Sequence, residues 1–244
     1  WCGECDRCLA GATQLCRVGA SRLHGVSVDG GLADEVVVDR RCLVPLATGV
    51  DPAVGALVEP LAVGTHAAGR VAVDPGDRVL VIGGGSIGLA TVAALRARGI
   101  EVDLVARHPH QRAGGELLGA GAQLAGEYGA VVDAAGTQES LDDGIARVRP
   151  GGTIVVVATY WEPVAIGTAL LTKEVRLMPS AMYGHDAHGQ AGASEFEAAA
   201  ALLAAQPEVV DALVHHRFGL DDAPEAFRVA GDRAAGAIKV LLEP

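Results

Sequence analysis

The apolar run Arg78-Val79-Leu80-Val81-Ile82 leads directly into Gly83-Gly84-Gly85-Ser86-Ile87-Gly88, and a helical pattern follows from Ile87 to Arg98. Few folds accept that order. A G-x-G-x-x-G set between a strand and a helix forms a turn whose backbone can close around a pyrophosphate. Gly83 permits the tight turn, Gly85 lets the backbone approach a phosphate, and Gly88 lets the helix lie close to the sheet. The N–H groups at the start of the helix, those of Ser86 and Ile87 included, and the helix dipole favour anionic groups.

The rest of the chain fits that start. Strand patterns at Glu101–Ala106, Ala130–Ala134, Thr153–Ala158 and Val175–Ala181 alternate with helical ones at Arg112–Leu118 and Gln138–Val148, with Pro150-Gly151-Gly152 read as a turn. Such βαβα alternation argues for a doubly wound parallel sheet of the Rossmann type, covered on both faces. Before it, Ala33–Asp39 and Cys42–Leu46 read as short strands, and Asp51-Pro52 starts a helix interrupted at Glu59-Pro60 and resumed through Ala68. After it come a long helix from Ser194 to Ala205, a strand at Leu213–Phe218, a helix starting near Leu220 and a last strand at Ala237–Leu242. Three units are expected. Residues 1–61 form a partial, mainly β catalytic domain, 62–194 the dinucleotide-binding domain, and 195–244 a return to the first unit.

Only 3% of residues are aromatic while half are hydrophobic, so Ala, Val, Leu and Ile must build the core. Nineteen basic against thirty acidic residues give a formal charge of −11, which opposes binding to nucleic acid or to an anionic membrane. No stretch is apolar for long enough to suggest a membrane span.

Cys2, Cys5, Cys8 and Cys16 follow a C-x2-C-x2-C-x7-C spacing. Four thiolates close a tetrahedral shell around Zn²⁺ and leave no position open, which makes a structural site rather than a catalytic one. The x2 spacings favour metal over a disulfide pair. Cys42, with no partner in the pattern, reads as a small buried hydrophobe. Thiols kept reduced to hold zinc fit the cytoplasm.

Cys2-Gly3-Glu4-Cys5-Asp6-Arg7-Cys8, with Gly11 and Cys16, resembles the structural zinc lobe of medium-chain, zinc-dependent alcohol and polyol dehydrogenases. The likeness extends through the glycine turn to Gly236-Ala237-Ile238-Lys239-Val240, where the match is weaker. It implies that an N-terminal segment carrying a Cys and a His ligand of a catalytic zinc precedes Trp1. It also implies a homodimer or homotetramer, joined along the Val175–Met178 edge strand.

Cofactor choice turns on the end of the second strand, where an NAD enzyme places an acid for the ribose diol. Counting on from Gly83 reaches Asp103, but that residue is mid-strand. The strand ends at Ala106, followed by Arg107, whose forked donors suit a 2′-phosphate, with Arg112 in support. NADP is therefore expected over NAD. Ala134-Ala135-Gly136-Thr137 should line the cleft beside the nicotinamide half, Tyr160 and Trp161 could wall a pocket, and the resemblance lets Lys239 reach the cofactor phosphates.

Glu59 is an acid in the apolar segment Leu57–Gly64 and needs a partner there. In the resembling family this Glu-Pro pair lies at the catalytic zinc, with the Glu either a ligand or hydrogen-bonded to the water on the metal. Bound zinc would favour the alkoxide of an alcohol, and hydride would pass to the nicotinamide. His66 shares the helix face of Glu59 and reads as a partner of that site or as a core histidine. His108 and His110 flank the phosphate region, whereas His185, His188, His215 and His216 read as loop or strand residues. The sequence thus points to a zinc-dependent oxidoreductase acting on a secondary alcohol, such as a polyol, sugar or amino alcohol, with Zn²⁺ and NADP or NAD. The alternative is a truncated or non-catalytic, zinc-stabilised nucleotide-binding protein.

Overall fold

The structure, a computed structural model, describes residues 1–124, 126–184 and 194–243. Its centre is a five-stranded, wholly parallel sheet made of β1 (Arg78–Ile82), β2 (Glu101–Val105), β3 (Tyr128–Asp133), β4 (Val148–Val156) and β5 (Arg176–Pro179). The strand order is β2-β1-β3-β4-β5. One further residue extends it beyond β2. Gly121 donates its N–H to the Val102 carbonyl at 2.8 Å and accepts the Leu104 N–H at 3.0 Å. Counting that bridge as a strand reduced to one residue, the order becomes the 3-2-1-4-5-6 of dinucleotide-binding folds, with the reversal between β1 and β3.

The period-2 pattern of β1 divides the core. Val79 and Val81 join a cluster with Val102, Leu104, Ala130 and Val132, whereas Leu80 and Ile82 join Val131, Leu141, Ile145 and Ile154 on the other face. The first face is covered by α2 (Val58–Gly69), α3 (Ser86–Ala97), α4 (Pro109–Leu117), α7 (Glu195–Ala205) and α8 (Glu208–Leu213). The second is covered by α5 (Gln138–Arg147) and the short α6 (Thr168–Thr172). Helix α2 crosses α3 so closely that a methyl group on Gly64 would lie 2.6 Å from the Ala90 carbonyl carbon. The tail forms a separate parallel pair, β6 (Val214–Gly219) with β7 (Lys239–Glu243), joined by α9 (Ala223–Gly231).

Several expectations need correction. The helix around Glu59 is not interrupted. α2 runs unbroken, because Pro60 falls in its first turn, where a missing N–H leaves no bond unmade. Asp51 does cap a turn, accepting the Ala53 N–H at 3.0 Å, but that turn is a 3₁₀ segment preceding α2. Pro150-Gly151-Gly152 lies within β4 rather than in a turn between elements. The strands expected at 33–39 and 42–46 are absent from the described residues. No described strand runs beside 33–39 to pair its backbone, Val37 stands 92% exposed, and residues 40–42 turn instead as Asp39 accepts the Arg41 N–H. The region before α2 is therefore irregular rather than mainly β. Its one α-helical turn is α1 (Asp6–Leu9), inside the cysteine lobe.

Candidate functional site

The glycine turn leaves β1 at the reversal point of the sheet. Gly83 has φ +112°, a value costly for any side-chain-bearing residue, and its N–H extends the sheet by donating to the Val105 carbonyl at 2.8 Å. A methyl on Gly88 would collide with the Gly83 carbonyl oxygen. A methyl on Gly85 would meet nothing, so the backbone there faces open space. That space is a cleft of about 680 Å³ bounded by Gly83–Gly85, Ala106–His108, Ala134, Ala135, Thr137 and Glu139, among others. Ser86 and Ile87 open α3 directly behind the turn, and Gly85 occupies its cap position.

Asp133 builds the far wall. Its carboxylate is fully buried and accepts four donors: the N–H groups of Ala135 at 2.9 Å and Gly136 at 3.0 Å, the Ser140 hydroxyl at 3.0 Å and the Tyr160 hydroxyl at 2.5 Å. These bonds fix the β3–α5 turn. Gly136 takes φ +67° there and passes so near Thr159 that a methyl would lie 2.6 Å from its carbonyl oxygen. Tyr160 thus holds the wall from behind, its own pKa raised by burial and by Asp133. Trp161 is 87% exposed and does not bound the glycine cleft.

Asp103 faces away from the cleft, buried against Arg78 and Tyr128. Ala106 and Arg107 do line it. Arg107 is largely exposed and reaches toward Glu139 across the cleft, 3.8 Å between charged atoms. Arg112 instead donates to the carbonyls of Ala106 and Arg107, supporting the loop from beneath. A larger hollow of about 740 Å³ lies at the opposite end of the sheet, along residues 69–77 and 98–101. Its charged groups are already engaged, Asp74 and Asp77 by Arg149 and Arg98 by the Ala68 carbonyl. Ligands of open parallel sheets bind at the carboxyl ends of the strands, where the glycine cleft is.

Glu59 stands at the start of α2. Its side chain reaches solvent, yet the protein packed around it raises its pKa above the ordinary carboxylate value, with Lys239 pulling it back down. Tyr183 senses the same carboxylate, its pKa raised first by burial and then by Glu59. Lys239 therefore sits with Glu59, and it is not among the residues bounding the glycine cleft. His66 is a core histidine. It is buried, with Nδ1 2.7 Å from Glu195 Oε1, while its Nε2 accepts from Arg70 Nε at 3.3 Å.

The four lobe cysteines converge. Their sulfurs all lie within 4.8 Å of one another, with Cys5–Cys8 at 3.5 Å and Cys2–Cys8 at 3.9 Å. Tetrahedral Zn–S bonds of about 2.3 Å put neighbouring sulfurs about 3.8 Å apart, so the cluster fits that ion. The backbone N–H of Arg17 leads the donors that lower the Cys5 thiol to about 6. The Cys16 thiol is also lowered, chiefly by the N–H of Cys2. Burial raises Cys8 to about 11, the cost a cation in the centre would relieve. Cys42 is exposed, contrary to the buried role expected of it.

The other histidines are scattered. His108 and His110 stack at 5.4 Å beside the cleft, and His215 meets His110 edge-on at 6.3 Å. His216 bonds the Ala235 carbonyl through Nε2. His185 and His188 lie outside the described residues. Sequence reasoning missed Asp133, Glu195 and Tyr183. Asp133 closes an otherwise apolar strand and is followed by Gly136, which was the available signal. The partners of Glu195 and Tyr183 are remote in sequence and gave none.

A parallel sheet in this order, with a glycine turn at its reversal point, defines the dinucleotide-binding α/β class. Residues 52–243 match the family described as glucose dehydrogenase C-terminus. L-galactonate-5-dehydrogenase of Escherichia coli (strain K12) is 34% identical over 175 residues, which are 65% of this chain and 51% of that protein. The chain thus spans about half the length of that relative. L-idonate 5-dehydrogenase of Escherichia coli K-12 MG1655 superposes with a TM-score of 0.85 at 26% identity, covering 99% of this chain and 72% of that one. A Sinorhizobium meliloti 1021 protein assigned as a zinc-binding dehydrogenase and bound to NADP superposes with a TM-score of 0.82 at 30% identity, covering 100% and 74%. The chain belongs to the zinc-dependent medium-chain dehydrogenase family. Among the described residues no helix is long and apolar enough to cross a membrane.

Proposed function

We propose that the whole protein is an oxidoreductase that moves hydride between a secondary alcohol and NADP or NAD, with zinc in two roles. The observation that carries this reading is the open cleft above Gly85 at the sheet's reversal point, in a chain whose relatives act on sugar acids and polyols. Polyhydroxylated substrates of that kind are the class favoured here. Residues 62–194 serve as the dinucleotide-binding unit. Gly83, Gly85, Ser86, Ile87 and Gly88 hold the pyrophosphate by backbone, and the turn at Gly136 borders the nicotinamide half. Arg107 pairs with a 2′-phosphate, which favours NADP.

Cys2, Cys5, Cys8 and Cys16 would hold a structural zinc. Glu59 is the carboxylate offered to a catalytic zinc, which when bound acts as a Lewis acid on the alcohol oxygen. Glu59 is assigned to the alcohol end of the site, with Lys239 favouring its ionised form. Lys239 is assigned to Glu59 before any role at the phosphates. Partners are limited to a small alcohol and a second copy of the chain. The edge strand β5, with Leu177 exposed, is the surface we assign to subunit pairing in a dimer or tetramer. Thiols free of disulfides suit the cytoplasm.

The test uses the intact protein. Zinc per chain is measured, and NADP and NAD are titrated with galactonate, idonate and polyols while nicotinamide absorbance is followed. Two zinc ions and alcohol-dependent reduction support the reading. One zinc, with cofactor binding but no reduction across the series, supports a nucleotide-binding protein without turnover.

A further inference from the structure

The cysteine lobe and the Glu59 site are far apart in sequence but are mechanically joined. Gln14 lies in a 3₁₀ turn, Thr13–Leu15, between the third and fourth lobe cysteines. Its carboxamide packs directly on the α-carbon of Gly184. A methyl there would lie 2.8 Å from Gln14 Cδ and closer still to Oε1. Gln14 Oε1 is buried without a hydrogen-bond partner, so packing and the lobe's own fold hold that oxygen against Gly184.

Gly184 continues the link. Its N–H donates to Glu195 Oε2 at 2.5 Å, and Glu195 Oε1 takes His66 Nδ1 at 2.7 Å. Arg70 Nε approaches His66 Nε2 at 3.3 Å, so both ring nitrogens are engaged and the Nδ1 side faces Glu195. His66 is seven residues along α2 from Glu59, on the same side of the helix. Tyr183, the residue before Gly184, has its ring fixed edge-on against Phe196 of α7 at 4.6 Å. Gln14, Gly184, Glu195 and His66 therefore form one continuous path from the lobe to the helix bearing Glu59. No lobe residue bounds the glycine cleft.

We infer that the cysteine lobe is a positioning element for the alcohol end of the site, with Gln14 as its contact and Glu195 as the clamp that passes its position to α2. An ion that fixes Cys8 and Cys16 fixes the turn between them, and with it Gly184 and the Glu195 clamp on His66 of α2. The kinetic consequence rests on the reading of Glu59 given above. The mechanical link does not.

The experiment measures hydrogen exchange at the Gly184 amide in the intact, zinc-loaded protein, beside alcohol KM and cofactor Kd. Gln14→Ala should speed exchange at Gly184 by about tenfold, the scale of a weakened charge-assisted hydrogen bond. It should also raise alcohol KM several-fold and leave cofactor Kd unchanged. Leu9→Ala, a change at an exposed lobe residue off the path, should move none of the three. Chelation of the lobe zinc should reproduce the faster Gly184 exchange, and zinc added back should restore it. An unchanged Gly184 amide in Gln14→Ala overturns the link. Faster exchange with unchanged KM, or KM and cofactor Kd shifting together, overturns its bearing on Glu59. A protein that turns over no alcohol overturns the activity reading, and the exchange data still decide the link.

Discussion

Arg78 grips Asp103 from the neighbouring strand, with Nε 3.0 Å and Nη2 2.5 Å from the two carboxylate oxygens. The register sets this up, since β1 pairs with β2 in parallel from Arg78 opposite Glu101. Asp103 is fully buried and also accepts the Tyr128 hydroxyl at 2.8 Å, whereas Arg78 remains 43% exposed. The acid that spacing alone would assign to the ribose diol is therefore spent inside the fold.

The pair is asymmetric, so its two partners should differ when removed. Arg78→Ala strands a buried carboxylate and should cost about 2 kcal/mol, less than the ~3–5 kcal/mol of a fully buried pair because water reaches part of Arg78. Asp103→Asn keeps an acceptor for Tyr128 and should cost about 1 kcal/mol. Urea unfolding of both variants checks the order. Equal losses would mean that the charge on Asp103 is not what Arg78 supports.

With Asp103 withdrawn, cofactor choice passes to Ala106 and Arg107. Arg107→Ala should weaken NADP binding by about tenfold to a hundredfold, the range of a charge-assisted Arg–phosphate contact, and leave NAD binding nearly unchanged. Glu139→Gln should do the reverse, strengthening NADP binding by freeing Arg107 from a competing carboxylate. Isothermal titration with both cofactors reads each effect. Tighter binding of NAD than NADP by the parent protein would remove Arg107 from the role.

How much of this was legible in the sequence follows the range of the interactions. The glycine turn, the βαβ alternation and the cysteine cluster are local, and each took its place as the spacing indicated. Gly121, the one-residue remnant of a strand, has no apolar run to announce it and was missed. The valines of 33–39 carry strand propensity, but a strand exists only with a partner, and propensity does not supply one. His66 looked ambiguous because helix spacing places it near Glu59, while its actual partner, Glu195, is 129 residues away.

The lobe should behave as a metal-dependent fold. Cys8→Ser should abolish tight zinc binding there and loosen residues 2–16, because the remaining thiolates lose the closed shell. Protons compete for the same thiolates, so zinc affinity should fall with decreasing pH. Zinc titration with a chromogenic chelator across pH tests this. Cys42→Ser should leave zinc content unchanged, since that thiol lies outside the cluster. A chain that keeps its full zinc after Cys8→Ser would place the metal elsewhere.

Glu59 gives the sharpest test of where chemistry occurs. Glu59→Gln preserves shape and removes charge, so turnover should fall by about a hundredfold or more, the range of a lost acid–base group, while cofactor binding stays within about twofold. The pH dependence has a definite sign. In the metal-free site burial raises the Glu59 pKa, so protons compete with zinc for this carboxylate at a higher pH than for an ordinary one, and the acid limb of the rate profile should lie correspondingly high. Lys239 lowers that pKa, hence Lys239→Met should move the limb further up, and Glu59→Gln should flatten it. By linkage, a carboxylate with a raised folded pKa favours the fold most at low pH, and that contribution is lost as pH rises through the raised value. Thermal unfolding of the parent and Glu59→Gln should therefore differ between acid and neutral pH, the variant gaining relative stability at neutral pH. An unshifted acid limb in Lys239→Met, together with parallel losses of turnover and cofactor binding in Glu59→Gln, would assign Glu59 to packing at the start of α2 and not to the reaction.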